Sequence, residues 1–139
     1  MLDMMNIQNL VEFMDKNAPC FLATKGTCGN PRIRPFHSPL LFDDKIYFCS
    51  SYEKNLIKHI KAHNGIEISC CSPSGEFVRL RANVKFSDNL AAKEAMFAKF
   101  ESLQNIYGDV KNPNFCLILL DEISAIKQNL NGDREFFKI

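Results

Sequence analysis

Phe77-Val78-Arg79-Leu80-Arg81-Ala82-Asn83-Val84-Lys85-Phe86 is the most regular stretch of the chain. Val78, Leu80, Ala82 and Val84 alternate with Arg79, Arg81, Asn83 and Lys85, and a period of two puts the apolar and polar sets on opposite faces of a strand. One face is therefore buried and the other meets water, the pattern of an antiparallel sheet. Upstream, Ile66 to Cys71 alternates in the same way, and Ser72-Pro73-Ser74-Gly75 between the two is a turn. Downstream, Leu90 to Leu103 has helical spacing behind a cap at Ser87 or Asp88. Phe115 to Leu120 is an unbroken apolar strand, and Ile123 to Gln128 with Arg134 to Lys138 forms a last pair. Asn131-Gly132 joins them, a dipeptide suited to a two-residue hairpin.

Toward the N-terminus, Leu2 to Lys16 spaces its apolar residues as an amphipathic helix, ended by Asn17 and Pro19. Cys20 to Thr24 and Arg32 to His37 read as two strands around the turn Lys25 to Asn30. Phe42 to Lys45 is a further turn before the strand Ile46 to Cys49. Ser50 or Ser51 caps a short helix through Lys61 whose buried side carries Leu56, Ile57 and Ile60, and Gly65 ends it. Helices do not follow strands regularly, so the expected fold is mainly β: one domain over residues 1–139, a small Greek-key barrel of six or seven antiparallel strands with two or three peripheral helices.

The chain has 139 residues, with Lys plus Arg 17 against Asp plus Glu 16 and a net charge of +1. That balance gives no general basic field, so neither nucleic acid nor a membrane is expected as a partner. The first fourteen residues hold Asp3 and Glu12 and no basic residue, unlike a signal peptide, and the expected location is the cytoplasm. Six cysteines without C-x-x-C spacing read as free thiols, several in the core, and no metal site is expected.

Two segments carry chemistry. In Pro31-Arg32-Ile33-Arg34-Pro35-Phe36, two arginines at i and i+2 share a strand face and offer guanidinium forks to an anion. Pro35 cannot donate to a ladder, which places this strand at an edge or a bulge. In Tyr47-Phe48-Cys49-Ser50-Ser51-Tyr52-Glu53-Lys54, a strand runs into two hydroxyls, a helix start and a lysine, the donors a phosphate dianion needs. Lys54 in a first helical turn opposes the helix dipole unless an anion offsets it.

The order of Ala18-Pro19-Cys20-Phe21-Leu22-Ala23-Thr24, Pro31 to Phe36, Ile46 to Lys54 and Gly75-Glu76-Phe77-Val78-Arg79-Leu80-Arg81 resembles the pyridoxamine 5′-phosphate oxidase-like family of FMN-binding split β-barrels, over about Met5 to Leu120. The resemblance implies a homodimer with FMN at each of two subunit interfaces, acting as an oxidoreductase on a small-molecule redox substrate. It implies flavin or phosphate contacts from Arg34 with Arg32 beside it, phosphate contacts from Ser50, Ser51 and Lys54, and a ring lining from Pro35, Phe36, His37, Phe48 and Cys49. Arg79 meets the cofactor or the other subunit in this reading.

The chain departs from the vitamin B6 oxidases of that family. Phe136, Phe137 and Lys138 do not match their C-terminal aromatic and arginine, Phe77 stands where they place an amide, and there is no Trp. Vitamin B6 oxidation is not expected, and the chain resembles the short bacterial members. The alternative is a non-catalytic module holding haem, a deazaflavin or flavin, with His37 as the histidine placed to ligate haem. Nucleic-acid binding through Arg32, Arg34, Arg79, Arg81 and Lys85 is a third reading that the neutral charge disfavours. His59 and His63, at i and i+4, read as surface residues.

Overall fold

In the computed structural model, which describes residues 3–139, the chain runs β1 (Asp3–Met4), α1 (Ile7–Lys16), β2 (Cys20–Lys25), β3 (Pro31–Phe36), β4 (Leu40–Phe42), β5 (Lys45–Ser51), α2 (Asn55–Ala62), β6 (Gly65–Cys71), β7 (Phe77–Ser87), α3 (Leu90–Lys99), α4 (Ser102–Tyr107), β8 (Phe115–Gln128) and β9 (Arg134–Lys138). The sheet order is β1-β9-β8-β7-β6-β2-β3, with β4 paired to β5 and β5 to β8. Two-residue β1 runs parallel to β9 and the other pairings are antiparallel. Along one edge of β8, β7 pairs almost throughout; along the other, β5 covers Phe115 to Leu119 and β9 covers Ser124 to Gln128. The sheet splits there and does not close.

The mainly β expectation holds, with several local corrections. β1 and β4 raise the strand number above the expected six or seven. The first helix begins at Ile7 because the Asn6 side chain accepts from the Asn9 N–H at 2.7 Å and caps it; Leu2 lies outside the described residues. Asn89 caps α3, in place of Ser87 or Asp88, by accepting from the Ala92 N–H. The helix expected through Leu103 stops at Phe100 and restarts as α4. The two final apolar segments are one strand, β8, carried past a bulge where Glu122 adopts φ 51°. Gly65 lies inside β6, and His63 is the C-cap of α2.

The connections β2–β3, β6–β7 and β8–β9 share one turn. In each a glycine N–H donates three residues back, Gly29 to Gly26, Gly75 to Ser72 and Gly132 to Asn129, at φ +92°, +87° and +85°. A bulge glycine of this kind needs the left-handed region. Asn131 therefore does not form the two-residue turn expected of Asn131-Gly132.

Two apolar clusters flank the sheet. The larger joins Leu10 and Met14 of α1 and Leu56, Ile57 and Ile60 of α2 to the inward side chains of β2, β6 and β7. The smaller packs Ala92 and Met96 of α3 and Leu103 of α4 on Tyr47, Cys49, Phe115 and Leu117. Cys20, Cys49, Cys70 and Cys116 are buried, Cys28 and Cys71 are exposed, and all six thiols are free. No helix among the described residues is long and apolar enough to cross a membrane.

Candidate cofactor site

A cavity of about 390 Å³ opens between the end of β3, β5, the start of α2 and the Phe100–Tyr107 segment. Pro35, Phe36, His37, Cys49, Ser50 and Lys54 line one side, and Phe100, Leu103, Ile106 and Tyr107 the other. β3 ends at the sheet's edge, as Pro35 requires, so its last residues turn toward this space and not into another ladder.

The polar end of the cavity lies at the α2 N-terminus. Ser50 is 4% exposed, and its hydroxyl has no hydrogen-bond partner. An orphaned buried hydroxyl is costly, roughly 1–3 kcal/mol, and points to a group that completes it. Lys54 occupies the N-cap position without a side-chain cap, so the first N–H groups of α2 are also left free by side chains. Ser50 and Ser51 do not cap the helix as expected; the Ser51 hydroxyl accepts from the Glu53 N–H at 3.3 Å. A buried hydroxyl, an exposed ammonium and a helix N-terminus form a donor set for an anion.

The lining also carries an aromatic cluster around His37. The His37 ring lies 4.8 Å from Phe36, 5.4 Å from Phe48 and 5.0 Å edge-on from Phe100, centroid to centroid. Nδ1 lies 2.5 Å from the Ser38 carbonyl, and Nε2 lies 3.0 Å from the Cys49 carbonyl and 3.1 Å from the Cys49 N–H, so both ring nitrogens are engaged by backbone. Burial pushes the His37 pKa down, and Lys99 and Lys54 add to that against the pull of the Cys49 and Ser38 carbonyls. The Cys49 thiol is 3.4 Å from Nε2, and burial pushes it up to about 12, so it is a neutral thiol. Neither His37 nor Cys49 is poised to move a proton.

The family model for pyridoxamine 5′-phosphate oxidase matches residues 7–129. The chain belongs to that family. No curated protein sequence matches it. Among solved structures, this family member is similar to a NimC/NimA family protein from Clostridium acetobutylicum, at 25% identity over 96% of this chain and 92% of that one, with a TM-score of 0.88. It shares its fold with a pyridoxamine 5′-phosphate oxidase-related, FMN-binding protein from Nostoc punctiforme, at 18% identity, covering 93% and 90%, TM-score 0.64. It shares it also with a haem-binding protein from Mycobacterium smegmatis, at 15% identity, covering 92% and 56%, TM-score 0.71.

Of the residues singled out in the sequence, the fold brings Pro35, Phe36, His37, Cys49, Ser50 and Lys54 to this cavity. Phe48 turns to the larger core, and Ser51 sits beside Tyr107. Arg79 lies on the outer face of the sheet in an ion pair with Glu67 at 3.5 Å. Arg32 is exposed, and Arg34 turns away from the cavity lining, to Leu22, Thr24 and His59. His59 is buried, against the expectation of a surface residue, while His63 is exposed. The second wall went unread. Leu103, Ile106 and Tyr107 are spaced i, i+3, i+4, and that period was the available signal.

Proposed function

We propose that this pyridoxamine 5′-phosphate oxidase family member is an FMN-dependent oxidoreductase that works as a homodimer in the cytoplasm. The observation that carries the reading is the unpartnered, buried Ser50 hydroxyl at the start of α2 beside Lys54. The FMN phosphate is a dianion that suits these donors, and a volume of about 390 Å³ lies in the range of small-molecule sites, roughly 300–1,000 Å³. When bound, FMN supplies the redox chemistry as a hydride or electron-pair carrier. Ser50 and Lys54 hold the phosphate, and Ser51 follows Ser50 at the end of β5; Arg32 and Arg34, expected there from the sequence, would have to turn toward it. Pro35, Phe36, His37, Phe48 and Cys49 surround the ring, directly or from behind.

Two observations narrow the alternatives. Haem ligation by His37 requires a free ring nitrogen, and both are in backbone hydrogen bonds. Phe136, Phe137 and Lys138 are strand residues of β9, paired to β8 and absent from the cavity lining, which argues against a vitamin B6 oxidase. A second copy suits the outer face of the sheet, where Phe21 and Ile33 are 45% and 70% exposed. The larger concavity, about 730 Å³, spans that same face over Ala23, Glu67, Arg81 and Ser124.

Titration of the purified protein with FMN, followed by flavin fluorescence, tests the cofactor. Lys54→Ala is expected to weaken FMN about tenfold or more, the usual loss of a charge-assisted contact of ~1.5–3 kcal/mol, and Ser50→Ala to weaken it less. Equal affinity in the two variants and the parent protein would sink the site. Light scattering should return twice the 15.9 kDa chain mass.

A further inference from the structure

Among the buried thiols, two are set face to face by the sheet. β2 and β6 pair antiparallel with Phe21 opposite Ser69 and Leu22 opposite Ile68, a register that brings Cys20, the first residue of β2, against Cys70. Both are buried and both belong to the larger core, so the two side chains point to the same, inward side. Directly opposed residues of antiparallel strands have Cα atoms about 4.5–5.5 Å apart, within the span of about 4.4–6.8 Å that a disulfide bridges. Cys49 and Cys116 lack this relation: Cys116 pairs with Ser50 and Cys49 with Leu117, and their side chains enter different cores. Cys28, in the turn after β2, and Cys71, the last residue of β6, are exposed and lie at opposite ends of the β2–β6 pair.

Packing alone needs only a small apolar side chain at either position and does not ask for two opposed thiols. A thiol–thiol hydrogen bond raises the pKa of Cys20, with burial adding to it, and lowers that of Cys70 against burial, so Cys70 is the better nucleophile of the two. The pair also has an approach from outside. Pro19, the residue before Cys20, and Phe36, the partner of Cys20 across β3, both line the cavity of about 390 Å³, and hydrogen peroxide is scarcely larger than water. We propose that Cys20 and Cys70 are a dithiol–disulfide couple, a peroxide-sensitive clamp between β2 and β6 behind the cavity wall. The Cys70 sulfur attacks one peroxide oxygen, the O–O bond breaks, and Cys70 becomes a sulfenic acid as the first water leaves. The Cys20 sulfur then attacks the Cys70 sulfur, the S–O bond breaks, and hydroxide departs with the Cys20 proton as the second water. Two thiols together lose two electrons, one peroxide becomes two waters, and a dithiol reductant returns the pair to thiols by exchange.

The test uses the full chain carrying Cys28→Ser and Cys71→Ser, which removes the exposed thiols and with them bonds between molecules. Its remaining thiols are counted under denaturing conditions before and after the folded protein meets hydrogen peroxide, and the product is mapped by mass spectrometry. Half of them are expected to disappear without any gain in mass of the chain's oligomers, with one linked peptide joining Cys20 to Cys70, and dithiothreitol should restore the full count. The oxidised form should melt about 5 °C or more above the reduced one, because the bond closes the long loop from Cys20 to Cys70 in the unfolded chain. Adding Cys20→Ala should abolish the linked peptide; the mapping on the unsubstituted pair stands by itself if that variant does not fold. An undiminished thiol count, a bridge to Cys49 or Cys116, sulfinic acid on Cys70 beside a free Cys20, or a bridge that forms only in urea overturns the couple. A bridged protein that melts no higher overturns the clamp.

Discussion

β6 and β7 differ from β5 and β8 in what lies behind them. In β7, Val78, Leu80, Ala82 and Val84 enter the larger core while Arg79, Arg81 and Lys85 meet water. In β5, Ile46 and Phe48 enter that core, but Tyr47 and Cys49 enter the smaller one under α3 and α4. β8 divides in the same way, with Cys116, Ile118 and Leu120 on one side and Phe115 and Leu117 on the other. A strand covered on both faces has no reason to alternate, which is why Ile46 to Cys49 and Phe115 to Leu120 are unbroken apolar runs. The covering layer does more than bury β5. Its Phe100, Leu103, Ile106 and Tyr107 are the second wall of the cavity, so that wall of the candidate site belongs to the layer of the smaller core, while Phe36 of the larger core lines the first.

Separate roles for the two cores can be broken by mutation. Leu80→Ala, wholly buried in the larger core, is expected to cost about 2–5 kcal/mol in urea denaturation while leaving the flavin affinity of the folded protein intact. Leu103→Ala lies against existing empty space, so its cost should fall at the low end, about 2 kcal/mol, and it should alter flavin affinity as well. Equal destabilisation with no effect on flavin would mean that the smaller core is scaffold only.

A pH series sharpens the contrast. His37 is held neutral with its pKa below the usual 6.5, so the unfolded chain takes up more protons as pH falls. Its contribution to stability is complete above about pH 6.5 and declines below it, by at most ~1.4 kcal/mol per pH unit. Melting curves between pH 7.5 and about 5 should show that decline, and His37→Gln should flatten it. The smallest effect is that of Asn89→Ala, which removes the cap of α3 and should cost about 1 kcal/mol, measured by urea denaturation.

The alternating strands and glycine turns were legible because each is a local pattern. Pro35 announced a sheet edge for the same reason. His59 was not legible: polarity argued for the surface, yet the residue sits three after Leu56 and one before Ile60, on the inward stripe of α2. Its partner Thr24 comes from a strand 35 residues away, and no sequence period reports such a meeting. Arg34 shows the same limit. Its strand face could be read, but the direction of its long side chain depends on Thr24 and His59. The break at Phe100 carries neither Gly nor Pro, so nothing local marks the boundary between α3 and α4.

β8 is hydrogen-bonded at once to β7, to β5 beside the cavity and to β9 at the far end of the sheet. An amide of such a strand exchanges with solvent only when the neighbour it donates to lets go, and each neighbour is held by the rest of the sheet. Cavity and outer sheet face are then expected to open as one cooperative unit, and hydrogen exchange should find the slowest protons of the molecule along β8, on both sides of the Glu122 bulge.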